Sequence, residues 1–189
     1  MTKKELTSFK QTRLNTILDE ATTCLIENPG ASMNEIAEAA GIGIATLHRY
    51  VESREQLMVH LSFRAIEVVA ETIEPIKLDE MNYESYIPKL IEALIPLGDK
   101  IYFLDHEVSV NRSKEVEKKD QVLREPLLHA IEFLQQKGYF RQDANKNWIV
   151  DVLYSLLFLT WQQVADGNIA RNSAAELLLS TFYHGFKQN

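Results

Sequence analysis

The sequence contains one cysteine, Cys24, and therefore cannot form a disulfide within a single chain. No apolar run follows the charged N-terminus to act as a signal peptide. The longest apolar stretch, residues 153–161, is also shorter than the roughly 20 residues that cross a bilayer. We therefore expect a soluble, cytoplasmic protein with no membrane partner.

Positive charge is also scarce. Lys and Arg number 20 against 27 Asp and Glu, which gives a formal net charge of -7 at pH 7. A chain this acidic does not coat nucleic acid over its whole surface, so any contact with nucleic acid must be local.

Enzyme and metal-site motifs are missing as well. Asp105, His106 and Glu107 are adjacent, but neighbouring residues of a helix point in different directions, and no second histidine follows at the zincin spacing. Gly41 and Gly43 lack the third glycine of a dinucleotide-binding loop and follow a predicted helix instead of a strand. We predict no catalytic residue, no cofactor and no metal site.

Apolar residues recur at helical spacing along almost the whole chain, and no run alternates as a strand does. The sequence therefore predicts an all-α protein. The expected helices cover about residues 10–26, 32–40, 44–50, 53–70, 83–95, 99–110, 115–137, 148–165 and 174–187.

The most informative stretch is AGIGIATLHRY, residues 40–50. Before it, Ser32 and Glu35 form a capping-box pattern that starts a short helix, and Gly41 can take the positive φ of a tight turn. After it, Ser53 and Gln56 repeat the capping-box pattern and start a longer helix. Two short helices joined by a glycine turn predict a helix-turn-helix, whose second helix enters the DNA major groove.

The segment MNEIAEAAGIGIATLHRYVESREQLM, residues 33–58, resembles the DNA-binding segment of the tetracycline-repressor-like (TetR) family of transcriptional regulators. The matching residues are Ile36, Ala37, Ala40, Gly41, Ile42, Thr46, Leu47, Tyr50, Ser53, Glu55 and Leu57. Several positions depart from the family pattern. Gly43 replaces a frequent Ser or Thr, which removes a helix cap and a phosphate contact, Val51 replaces a frequent Phe, and Arg54 replaces the usual Lys while keeping its charge.

The resemblance implies a helix-turn-helix DNA-binding domain over residues 1–54. A long helix would join it to a larger helical domain for effector binding and dimerisation over residues 55–189. It also implies a ligand-responsive regulator, most often a repressor, whose partners are a double-stranded DNA operator, a small-molecule effector and a second copy of the chain.

The predicted DNA contacts follow from the hydrogen-bond donors around the second short helix. Arg49 is the best candidate for a bidentate contact with guanine, and Arg54 is a candidate for a phosphate contact. The full predicted set is Gly43, Thr46, His48, Arg49, Tyr50 and Arg54.

Residues 1–60 contain six Lys or Arg and eight Asp or Glu, a net of about -2, whereas DNA-binding domains are usually basic. An alternative therefore stays open: a helical protein that binds small molecules or a partner protein and retains the helix-turn-helix only as a scaffold.

Two further sites are expected in the larger domain. The last two helices have broad apolar surfaces that need partners on two sides. The resemblance implies that these helices form a homodimer interface, and a place in the core of a monomer is the weaker alternative. The predicted interface residues are Leu153, Leu156, Leu157, Leu178, Phe182 and Phe186. Aromatic residues of the middle helices suggest a pocket for a small, largely apolar effector, lined by Tyr86, Tyr102, Phe103, His106, Tyr154, Phe158 and Trp161.

Overall fold

The computed structural model describes residues 3–101 and 113–187, with the backbone alone for residues 3–8. The described residues form two compact units. One contains residues 3–67 and 113–118, and the other contains residues 68–101 and 119–187. The division into a DNA-binding domain, residues 1–54, and an effector-binding and dimerisation domain, residues 55–189, stays a prediction.

Four helices begin in the first unit: α1 (Lys3–Glu27), α2 (Met33–Ala39), α3 (Ile44–His48) and α4 (Arg54–Ile73), whose last residues belong to the second unit. The core of this unit is aliphatic: Ile17, Leu18, Ala21, Leu25, Ala31, Ile36, Ala37, Leu47, Val51, Leu57, Met58 and Leu61. Helix α1 contributes the apolar face expected from its spacing, although it begins at Lys3 and not near residue 10.

The second unit contains α5 (Tyr86–Leu94), α6 (Gly98–Ile101), α8 (Lys146–Ala165), α9 (Arg171–Phe186) and most of α7 (Lys114–Gln136). Short 3-10 turns over Tyr83–Ser85 and Ile95–Leu97 flank α5. The described residues include no strand, and their one β-bridge joins Phe140 to Lys187. The predicted all-α fold is confirmed.

The core of the second unit is rich in aromatic residues. Phe182 packs edge-on against Phe140, with ring centroids 5.5 Å apart, and contacts Phe186 one helical turn later. Trp161 of α8 lies directly over Gly98, where an added Cβ would be 2.2 Å from the indole Cδ1. The glycine therefore allows α6 to approach α8 closely.

Helix α8 is long and apolar enough to cross a membrane by length and composition alone. One such helix is weak evidence, because the core helix of a soluble protein passes the same test. In this chain 33% of the apolar window is buried, including Ile149, Val150 and Leu153.

Candidate DNA-binding surface

Helix α2 begins with the predicted capping box. The Ser32 hydroxyl accepts from the backbone N–H of Glu35 at 3.3 Å, and the Glu35 carboxylate accepts from the backbone N–H of Ser32 at 2.7 Å. The second hydrogen bond stabilises the charged carboxylate and lowers the pKa of Glu35 below its usual value of 4.5. Both contacts lie within four residues of sequence, so the start of α2 is fixed locally.

The turn between α2 and α3 depends on Gly41, whose φ is +64°. The N–H of Gly41 donates to the carbonyl of Glu38 and that of Ile42 donates to the carbonyl of Ala37, both at 2.9 Å. This pair of bonds is a Schellman motif, which ends a helix through a residue in the left-handed region. The predicted role of Gly41 is confirmed.

Gly43 has a different role, because its backbone is extended, with φ -74° and ψ 150°. It occupies the N-cap position of α3 but has no side chain to accept from the free N–H groups of the first turn. No atom lies within 4 Å of the position that a Cβ would take. A serine or threonine therefore fits at this position without strain.

Helix α3, the second helix of the helix-turn-helix, is held in the unit by Leu47, which is fully buried, and by the buried Val51 that follows the helix. With that face turned inward, His48 and Arg49 are exposed and Thr46 and Tyr50 are half-buried. The guanidinium of Arg49 and the imidazole of His48 are therefore exposed hydrogen-bonding groups beside the buried Leu47.

Helix α4 starts with a modified capping box. The Ser53 hydroxyl accepts from the backbone N–H of Gln56 at 3.2 Å, as predicted. The Gln56 side chain, however, accepts from the backbone N–H of Glu52 at 2.5 Å and not from that of Ser53. The N-terminal turn of α4 is nevertheless capped at the expected residue.

Arg54 behaves differently from the other predicted DNA contacts. Its Nη1 donates to the carbonyl of Ala31 at 2.5 Å, and its Nη2 donates to the carbonyl of Pro29 at 2.7 Å. The side chain is half-buried. Sequence reasoning missed this link because both acceptors are backbone atoms 23 and 25 residues away. The replacement of the family's lysine by arginine was the one available signal.

Another arginine of the first unit, Arg64, is paired within the unit. Arg64 of α4 contacts Asp19 of α1 at 3.2 Å and Glu67 at 3.9 Å. By contrast, Arg49 is exposed and takes part in no ion pair within the described part of the chain, while Lys10 and Arg13 of α1 are also exposed. Positive charge available to DNA is therefore confined to few side chains.

Most of the residues predicted at a dimer interface are covered by their own chain. Leu153, Leu157, Leu178, Phe182 and Phe186 are buried in the second unit, and Leu156 is half-buried. The physical reason is that α8 and α9 are apolar on more than one side, and these residues occupy the inward sides. The exposed sides of the same helices carry other large apolar residues: Trp148 (61% exposed), Leu159 (51%) and Leu177 (49%).

The predicted effector-pocket residues are placed only in part. Tyr86 and Trp161 are buried and Tyr154 and Phe158 half-buried, while Tyr102, Phe103 and His106 lie outside the described residues. The Phe158 and Trp161 rings pack edge-on at 5.0 Å, and the buried Trp161 indole N–H has no hydrogen-bond acceptor among the residues that the structure describes.

Tyr154 lies under a cation. The Arg124 guanidinium carbon is 4.0 Å from the centroid of the Tyr154 ring, and Arg124 also contacts Asp120 and Asp151. Burial, with a smaller contribution from Asp120, raises the pKa of the Tyr154 phenol to about 12. The phenol therefore stays neutral near pH 7. No cluster of three metal-ligating side chains occurs among the residues that the structure describes.

Comparison with known proteins agrees with the helix-turn-helix geometry. Residues 17–61 match the family model described as bacterial regulatory proteins, tetR family. The chain is 26% identical over 169 residues to the HTH-type transcriptional repressor LfrR of Mycolicibacterium smegmatis, covering 89% of this chain and 87% of LfrR. It is 27% identical over 166 residues to the HTH-type transcriptional regulator NfxB of Pseudomonas aeruginosa, covering 85% of this chain and 87% of NfxB.

Solved structures share the fold. The crystal structure of LfrR from Mycobacterium smegmatis in complex with proflavine has a TM-score of 0.78 at 22% identity, covering 92% of this chain and 96% of that chain. The structure of AibR in complex with isovaleryl coenzyme A and operator DNA has a TM-score of 0.73 at 17% identity, covering 89% of this chain and 97% of that chain. The resemblance found in residues 33–58 is thereby confirmed at the level of family and fold.

Proposed function

The chain belongs to the TetR family of helix-turn-helix transcriptional regulators, and on this premise we propose that it is a ligand-responsive repressor. It binds a near-palindromic operator as a cytoplasmic homodimer and is released by a small molecule. Residues 1–54 bind DNA, and residues 55–189 bind the effector and dimerise. The family consists of regulators and not of enzymes, so no catalytic residue is assigned.

The observation that carries the proposal is the exposure of Arg49 and His48 beside the buried Leu47. Arg49 is assigned to a bidentate contact with a guanine, the commonest specific contact in the major groove. His48, Thr46 and Tyr50 supply further donors to bases or phosphates, and the backbone at Gly43 begins the helix that approaches the groove. Because few cations accompany them, affinity should be modest and should fall as salt rises.

A homodimer is proposed on the exposed sides of α8 and α9. Trp148, Ser155 and Leu159 are spaced by seven and four residues, which places them on one face of α8. Leu177 of α9 adds a further exposed apolar side chain. A two-fold dimer presents two recognition helices about 34–36 Å apart, one DNA turn, which suits a near-palindromic site.

The effector is proposed to bind in the second unit near Tyr86, Tyr154, Phe158 and Trp161. Support comes from the LfrR structure with proflavine and the AibR structure with isovaleryl coenzyme A, two ligands bound by proteins of this fold. The Trp161 N–H, which meets no acceptor in the described parts of the chain, is a donor that an acceptor atom of a small, largely apolar ligand would satisfy. Residues 102, 103 and 106 remain predicted contributors.

Effector binding changes DNA affinity only if the effector prefers one conformation of the dimer over another. We propose that α4 transmits the conformational change, because it is the next helix after α3 and its last residues belong to the second unit. Coupling of about 1–3 kcal/mol, typical of allosteric proteins, would lower operator affinity by about 5- to 150-fold. Proflavine is a defined first probe: titration of the protein–operator complex measures whether it releases DNA.

Selection of bound sequences from a random duplex pool tests the function directly. We expect a pseudo-palindromic site, and we expect Arg49→Ala to weaken binding to it by about 1–3 kcal/mol. Lys89→Ala is the control, because Lys89 is an exposed cation of the second unit and its loss changes the net charge equally. If the folded protein binds no duplex even at low salt, the regulator is excluded and the scaffold alternative is favoured.

A further inference from the structure

Arg54 connects the two ends of the helix-turn-helix. The carbonyls that accept from it belong to Pro29 and Ala31, in the turn that enters α2, and Ala31 immediately precedes the cap residue Ser32. Arg54 itself is the first residue of α4, in the segment that leaves the recognition helix. One guanidinium thus joins the entry to the helix-turn-helix with its exit.

The turn that receives Arg54 is otherwise built from local contacts. The carbonyl of Asn28 accepts from the N–H of Ala31 at 2.9 Å, and its side-chain Oδ1 accepts from the N–H of Gly30 at 3.2 Å. Ala31 is fully buried, which fixes the turn against the core. Neither contact reaches α4, whereas the two hydrogen bonds from Arg54 do.

The chemistry of the link favours arginine over the family's lysine. A guanidinium is a rigid planar fork with parallel donors that can serve two carbonyls at once. A lysine ammonium is a strongly hydrated point charge on a flexible stem. A phosphate contact makes no such demand, because lysine as well as arginine binds phosphate, lysine as a point charge. The two possible roles of Arg54 therefore differ in whether lysine can replace it.

We propose that Arg54 is a positioning residue for DNA recognition. It sets the start of α2 relative to the start of α4, and α3 follows because Leu47 packs in the same core as Ile36 and Ala37 of α2. On this assignment Arg54 acts through Arg49 and its neighbours, and the phosphate contact predicted for Arg54 is not made. The inference rests on the DNA binding proposed above.

The test compares Arg54→Ala and Arg54→Lys with the wild type. Affinity for the selected operator is measured between about 50 and 200 mM salt, a range over which each phosphate contact adds about 0.9 to the slope of log affinity against log salt. Both variants should bind about tenfold more weakly, with an unchanged slope. Arg64→Ala is the matched control: it removes a guanidinium from the same helix and should leave affinity within about twofold of wild type.

Full affinity in Arg54→Lys would show that the guanidinium fork is not needed, and a slope reduced by about one in Arg54→Ala would indicate a phosphate contact. Either result would overturn the proposal. Amide hydrogen exchange of the free protein gives a second readout. In Arg54→Lys the amides of Ala31 and Glu35 should exchange faster, and unchanged exchange would contradict the link. Because this measurement needs no DNA, it separates failure of the positioning role from failure of the proposed function.

Discussion

The two compact units differ in what they bury and in how their helices are fixed. The buried residues of the first unit are aliphatic, and its helix ends are fixed by hydrogen bonds between residues a few positions apart. The second unit buries Tyr86, Phe140, Trp161, Phe182 and Phe186. Both units contain ion pairs between distant residues: Asp19 with Arg64 in the first and Asp99 with Arg171 in the second. The helix caps of the first unit are thus set locally, whereas the aromatic core of the second depends on tertiary packing.

The largest expected effect tests the aromatic core of the second unit. Phe182 is fully buried between Phe140 and Phe186, so Phe182→Ala should reduce the free energy of unfolding by about 3–5 kcal/mol. Urea unfolding followed by circular dichroism measures the change. Val122→Ala, at an exposed valine of α7, is the comparison and should change stability by less than about 0.5 kcal/mol.

Substitutions on the exposed sides of α8 and α9 test the proposed dimer. Leu159→Glu and Leu177→Glu place a charge on the exposed sides of α8 and α9, where a partner would have to bury it unpaired at several kcal/mol. Sedimentation should show the wild type as a dimer and the double variant as a folded monomer. A wild type that is monomeric at micromolar concentration would rule out the interface.

The next comparison is between two glycines, one at the close approach of α6 to α8 and one in α9. Gly98→Ala would place a Cβ 2.2 Å from the Trp161 indole, and the forced shift of α6 or α8 should cost about 1–3 kcal/mol in unfolding free energy. A Cβ added at Gly185 of α9 would have no atom within 4 Å apart from those of its own helical turn. Gly185→Ala should therefore be neutral or stabilising by up to about 1 kcal/mol. Equal melting temperatures for the two variants would show that the indole moves freely.

Sequence reasoning succeeded where the determinants are local. Ser32 with Glu35, the turn at Gly41 and the buried face of α1 follow from spacing and from hydrogen bonds within a few residues. The helical periodicity of the second unit was also visible. The periodicity did not reveal which face of α8 points inward, because that helix is apolar on several sides. Only the elements that pack against α8 determine which side is buried.

The same limit applies to Arg54. Its charge and its position after Ser53 predict a phosphate contact, yet its partners are carbonyls brought near by folding. Backbone acceptors carry no signature in the sequence, so a link of this kind becomes visible only in the structure.

The two glycines of the helix-turn-helix provide a smaller effect within the first unit. Gly41→Ala forces a side chain into the left-handed region and should reduce the unfolding free energy by about 1–2 kcal/mol. Gly43→Ser adds a cap to α3 where space is open and should stabilise by a few tenths of a kcal/mol. Thermal unfolding measures both. A destabilised Gly43→Ser would mean that the extended N-cap geometry at this position is wrong.

The smallest expected effect is a pH dependence of stability that arises from His60 in α4. Burial disfavours the charged imidazole of His60 and lowers its pKa below the ordinary value of 6.5. As pH falls through 6.5, the unfolded chain takes up the proton before the folded protein does, so stability decreases with falling pH in this window. The depressed pKa of Glu35 acts separately, because that contribution is lost only as pH falls below 4.5. Melting temperatures between pH 5 and pH 8 should therefore vary less in His60→Gln than in wild type, and His48→Gln, at an exposed histidine of the same unit, is the control. Identical pH profiles for wild type and His60→Gln would show that His60 is solvated in the folded protein.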